Sequence, residues 1–173
     1  MKKIILAAAF AAMISGTAFA DTYSITVTNN LAEELLAPIV VTSTSNDGFI
    51  FNGSYVTPAA EEQILTGDPA KVVASIGADM VAVGHGLDGP PSVLLKPGAS
   101  ITFEFETDAT SLRILAMVAP TMFPDNYVSN VVDIHATTET IVKLHRFDIG
   151  YDEGTKTNTR VSNDAATVVI IRK

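Results

Sequence analysis

The side chains of this 173-residue chain with the widest chemical reach are three histidines and nineteen aspartates and glutamates; there is no cysteine. Without cysteine there is no disulfide scaffold, thiolate zinc site, iron–sulfur centre or cysteine nucleophile. His85 lies in a glycine-rich stretch, and His135 and His145 fall at or near expected strands, ten residues apart. A zinc hydrolase needs two or three such rings to converge with a carboxylate, and no spacing of the type His-x-Glu-x-x-His is present. The histidines read instead as surface or half-buried strand residues. No glycine-rich phosphate loop, no Gly-x-Ser-x-Gly elbow and no marked nucleophilic serine occurs. The expectation is a protein that is not an enzyme.

The acidic residues carry more information. Asp125 lies in Ala119-Pro120-Thr121-Met122-Phe123-Pro124-Asp125-Asn126-Tyr127, after an expected strand at 112–118. Asp148 and Asp152 lie in Phe147-Asp148-Ile149-Gly150-Tyr151-Asp152-Glu153-Gly154, after an expected strand at 140–147. In a β-sandwich, loops gather at the two ends. Carboxylates from two loops at one end, with a backbone carbonyl, make a hard oxygen site of the kind Ca²⁺ takes. The spacing does not match the helical calcium loop, which needs acidic residues at alternate positions and a closing glutamate. On spacing alone, solvated turn aspartates are the simpler reading.

The elements that must position these groups are strands. Tyr23-Ser24-Ile25-Thr26-Val27-Thr28 and Ile101-Thr102-Phe103-Glu104-Phe105-Glu106 alternate apolar and polar, the period of half-buried strands. Pro38–Thr42 reads as a strand with proline at its start, and Leu112–Val118 as one buried on both faces. Val128–Ile134, Thr140–Phe147 and Thr167–Ile171 complete the set. Asn29-Asn30, Ser45-Asn46-Asp47-Gly48 and Lys96-Pro97-Gly98 are turn chemistry. Residues 58–77 read as two short helices: Thr57-Pro58 and Asp68-Pro69 are helix starts, and Gly77 is a stop. Residues 84–99 read as a long ordered loop. The expected class is all-β, an antiparallel β-sandwich with one or two short helices inserted.

Residues 1–20, MKKIILAAAFAAMISGTAFA, have a basic start, an apolar run and Ala18-Phe19-Ala20, the pattern of a secretory leader cleaved before Asp21. Residues 21–173 then form a single domain. That part holds nine basic and nineteen acidic residues, a net charge of −10. The acidic balance argues against nucleic acid as a partner, and no later stretch is apolar and long enough to span a bilayer. The expected location is extracytoplasmic, periplasmic or secreted.

Several segments, in order, resemble one known family. Tyr23–Leu31 and Leu36–Thr42 are similar to its first two strands. Leu65-Thr66-Gly67-Asp68-Pro69 is similar to its "GDP" turn, and Leu94–Phe103 to its "LxPGxSxxF" segment. Ala116–Thr121 with Pro124–Val128 resembles "SMxVPSxDWFVG", and Phe147–Gly154 resembles "YDAGTDSG". The family is the spondin domain, the N-terminal module of F-spondin and mindin, here in its bacterial secreted form. The resemblance implies a C2-like sandwich with a calcium site at one end and a role as an adhesion-type binding module. It implies Asp125 and Asp148 as carboxylate ligands, the backbone carbonyl of Leu144 as a third, and Asp152 as a fourth. The chain departs from the pattern at Met122-Phe123-Pro124, which lengthens the first loop, at Asn126-Tyr127 in place of Trp-Phe, and at Ser129 in place of glycine. An extracellular or envelope protein, or a glycan, is the partner class implied; a metal-free structural or solute-binding envelope protein is the alternative.

Overall fold

Tyr23, Ile25 and Val27 are buried while Ser24, Thr26 and Thr28 between them are not, so the first strand has one dry face and one wet face. The computed structural model of the chain describes residues 20–84, 93–119, 125–135 and 137–173. The expected leader, except Ala20, and the Met122-Phe123-Pro124 insertion lie outside the described residues, as does most of the glycine-rich part of 84–99.

The strands are β1 (Asp21–Asn29), β2 (Leu35–Leu36), β3 (Ile39–Ser43), β4 (Phe51–Asn52), β5 (Tyr55–Val56), β6 (Met80–Val83), β7 (Ser100–Thr107), β8 (Ser111–Ala119), β9 (Asn126–Asp133), β10 (Glu139–Asp148) and β11 (Thr159–Arg172). Two helices, α1 (Pro58–Thr66) and α2 (Ala70–Ile76), lie between β5 and β6. Eight strands run in the order β6-β3-β8-β9-β10-β11-β1-β7, with β2 added beside β8, in one antiparallel sheet. β4 and β5 form a separate hairpin.

The sheet folds back on itself into an all-β antiparallel sandwich. Ile39 and Val41 of β3 and Ile114, Ala116 and Val118 of β8 share one core with Ile25 and Val27 of β1 and Val168 and Ile170 of β11. The opposite face of β3 and β8 is dry for another reason. Val40 and Leu115 pack there under Ala60 and Ile64 of α1 and Val72 of α2. This is why β8 is buried along nearly its whole length, as its mostly apolar run predicts. Arg113 is the polar interruption. It forms a two-bonded pair with Asp47 (Nε–Oδ1 3.0 Å, Nη2–Oδ2 2.6 Å) and lies 4.9 Å from the Phe51 ring centre.

Helix starts follow the sequence signals. Thr57 caps α1 by accepting from the Ala60 N–H, with Pro58 in the first turn and left-handed Gly67 at the C-terminus. At α2 the Ala70 N–H donates to the Asp68 carboxylate, one residue before the proline. Four short strands, β2 and β4–β6, were not legible in the sequence, and β11 begins eight residues before the expected Thr167. Thr159–Asp164 is exposed throughout, so it carries no alternation to read. Among the described residues no helix is long and apolar enough to cross a membrane.

Candidate metal centre

The register of one strand pair builds the centre. β9 and β10 are antiparallel partners, and Asn126, the first residue of β9, lies opposite Asp148, the last of β10. Asp125, which immediately precedes β9, and the loop leaving β10 therefore meet at one end of the sandwich. The Ile149 N–H donates to the Asp125 carbonyl at 3.2 Å, which extends the pairing into the loops.

Asp125 is buried, with 1% of its surface exposed. Its Oδ2 accepts from the backbone N–H of Tyr151 (3.2 Å) and Asp152 (3.5 Å), and its Oδ1 from the Asn126 side-chain amide (3.0 Å). The same amide lies 3.3 Å from Asp148 Oδ2, while Asp148 Oδ1 accepts from the Gly150 N–H at 2.6 Å. Arg146 holds the amide in this orientation: its Nε donates to Asn126 Oδ1 at 2.7 Å, and its Nη1 pairs with Glu34 at 2.8 Å. Exposed Asp152 and Glu153 complete the group. Asp125, Asp148, Asp152 and Glu153 each present a carboxylate oxygen, all within 4.8 Å of one another.

That spacing suits a hard cation. Oxygens on opposite sides of a Ca²⁺ ion lie about 4.6–5.2 Å apart, twice its bond length to oxygen. The donors are all carboxylate oxygen, with no ring nitrogen or sulfur. No lysine or arginine forms an ion pair with any of the four among the described residues, although seven such pairs occur elsewhere. Like charges this close repel, and a divalent ion would offset the repulsion.

Asp125, Asp148 and Asp152 are thus brought together. Leu144 is not. It lies opposite Ala166 within the β10–β11 ladder, with its side chain in the sandwich core. Four residues of strand put it roughly 13 Å from Asp148, too far for its carbonyl to join the same ion. Glu153 is a fourth member that the family resemblance does not imply. Its signal was the Asp-Glu pair between Gly150 and Gly154, two glycines with positive φ (66° and 71°) that turn the loop back toward Asp125.

The histidines stand apart from the cluster. His135 is exposed just beyond β9, and its N–H donates to Asp133. His145 lies in β10, its ring between the Asn163 carbonyl (2.9 Å) and the Asn130 amide (3.3 Å). His85 is outside the described residues. A small cleft of about 270 Å³, lined by Asp148, Glu153, Thr155, Thr159 and Val161 among others, opens beside the carboxylates.

No known family profile matches the chain, and no curated protein matches it in sequence.

Proposed function

We propose that this chain is an extracytoplasmic, calcium-binding, adhesion-type binding module rather than an enzyme. One observation carries the reading: three aspartates and a glutamate where β9 begins and β10 ends present oxygens within 4.8 Å of one another, one of these residues is buried, and none of them has a basic partner among the described residues. Asp125, Asp148, Asp152 and Glu153 would hold the ion, which would bind the two loops together and fix the surface beside the small cleft. The spondin-like order of motifs supports the same ion at the same end, and the leader pattern of residues 1–20 supports export. A protein or glycan of the cell envelope or the extracellular space is the partner that such a rigid, calcium-set surface suits.

Calcium is expected to raise the melting temperature by about 5–11 °C when present at a hundred times its dissociation constant. Asp148→Asn is expected to abolish the rise. Melting curves that coincide in calcium and in chelator would overturn the reading. In that event the metal-free solute-binding alternative takes over. It is favoured by a larger polar cleft of about 900 Å³, remote from the carboxylates, whose lining includes Ser43, Thr44, Asp79, Glu106, Asp108 and Ser111.

A further inference from the structure

The acidic loop after β10 is held at both ends. At its start β10 anchors it, and at its end the Asn158 N–H and side-chain amide both donate to the Ser54 carbonyl at the tip of the β4–β5 hairpin (3.0 and 3.1 Å). Between these points residues 151–157 are exposed. Within that stretch lies Lys156, the one residue other than glycine with a positive φ (48°) among the described residues. A lysine gains nothing from the left-handed region, and a residue held there signals surroundings that over-determine it.

Those surroundings converge on its ammonium. Lys156 Nζ lies 3.5 Å from Glu61 Oε2 on α1, 5.4 Å from the Tyr55 ring centre on β5 and 5.9 Å from the Tyr151 ring centre on its own loop. The Tyr55 hydroxyl donates to the same Glu61 oxygen at 2.5 Å, so ring and carboxylate are fixed together. The Lys156 N–H closes the loop on the Gly150 carbonyl at 3.0 Å. The single lysine thus joins three pieces of the fold, and Tyr151 and Asp152, whose N–H groups reach Asp125, lie inside the turn it closes.

We propose that Lys156 is a latch. Its ammonium, held between two tyrosine rings and Glu61, keeps the acidic loop closed against α1 and the β4–β5 hairpin. When the ammonium leaves, the left-handed backbone relaxes and the loop opens. This gives the loop two states, latched with Asp152 and Glu153 drawn to Asp125, and released with them apart. The latch stands whether or not the carboxylates take an ion.

The test is amide hydrogen exchange on the full chain in chelating buffer, which separates it from the calcium reading. Lys156→Met keeps the stem and removes the charge; Lys156→Gly removes the side chain and suits the left-handed backbone. The latch predicts faster exchange, by about fivefold, over Gly150–Lys156 in both variants, and near-normal exchange in Lys156→Arg, whose guanidinium also sits on aromatic rings. If the side chain were incidental, glycine at this φ would leave exchange unchanged or slow it. Either result in Lys156→Gly would overturn the latch, as would unchanged exchange in Lys156→Met.

Discussion

A buried carboxylate needs hydrogen bonds or a cation to offset its lost hydration, and among the described residues Asp125 receives only neutral donors. Two of those donors belong to the loop that Gly150 begins, so the conformation of a single glycine bears on how Asp125 is held. Gly150 and Gly154 both have positive φ, and they differ in what surrounds them. A Cβ on Gly150 would meet the Thr155 hydroxyl at 2.0 Å and the Thr155 Cβ at 3.3 Å, whereas one on Gly154 would meet nothing within 4 Å. Gly154→Ala is therefore expected to cost only the left-handed backbone penalty, about 1–2 kcal/mol. Gly150→Ala adds a clash with a β-branched side chain that turns poorly, for a total of about 2–5 kcal/mol. Urea denaturation of the two variants measures the difference, and equal losses would show that Thr155 moves aside freely. At this scale the gathering of Asp125, Asp148 and Asp152 is what loops at a sandwich end suggest, whereas spacing alone favours solvated turn aspartates and only the family resemblance singles them out as ligands. Glu153 and Lys156 were not legible, because their roles depend on how a glycine-bounded loop folds back, which residue order alone does not record.

The pair β9–β10 carries the site, and an aromatic contact marks where it is anchored. Tyr127 and Phe147 are directly opposite in the ladder, with ring centres 5.3 Å apart and planes 21° from parallel. The Tyr127 hydroxyl donates to Asn158 Oδ1 at 3.2 Å, which ties the pair to the end of the acidic loop. Burial holds the Tyr127 phenol well above its ordinary ionisation range, despite the opposing effect of Arg113. In the unfolded chain the same phenol ionises near pH 10. A folded-state pKa raised above the unfolded value gives stability that is complete below pH 10 and is lost as pH rises toward the folded value. That loss reaches about 1.4 kcal/mol per pH unit for each such group. Tyr127→Phe is expected to be the less stable protein below pH 10, through the lost bond to Asn158. Its stability should then fall less steeply above pH 10, so that the two curves converge; parallel curves in alkaline urea titrations would contradict this. The longer strands were legible by alternation where one face is wet, or by a mostly apolar run where both faces are dry. The alternation of β1 and β7 and the mostly apolar run of β8 announced their places, whereas β2, β4, β5 and β6 are two to four residues long, too short to show a period.

Over the whole molecule, charge is distributed unevenly between paired and unpaired groups. Seven of the nine lysines and arginines beyond residue 20 form ion pairs, and the acids they engage are Asp21, Glu34, Asp47, Glu61, Glu62, Glu104 and Asp164. The four clustered carboxylates are outside that set. Two different salt responses follow. General repulsion within residues 21–173, which carry a net charge of −10, is relieved by any electrolyte, because added ions screen exposed charges within about 10 Å at 0.1 M. Relief at the cluster depends on the ion. The oxygens lie within 4.8 Å of one another, a spacing that admits the longer bonds and irregular geometry of the proposed calcium ion, whereas magnesium demands about 2.0–2.1 Å and a near-ideal octahedron. At equal ionic strength the expected order of melting temperatures is therefore calcium above magnesium, with magnesium close to sodium chloride. In Asp148→Asn the three should merge, because the general screening survives and the specific site does not. Thermal scans of the two proteins in the three salts decide it. A calcium rise that persists in Asp148→Asn would place the ion elsewhere on the acidic surface, and equal rises with calcium and magnesium would mean that the loops close to fit the smaller ion.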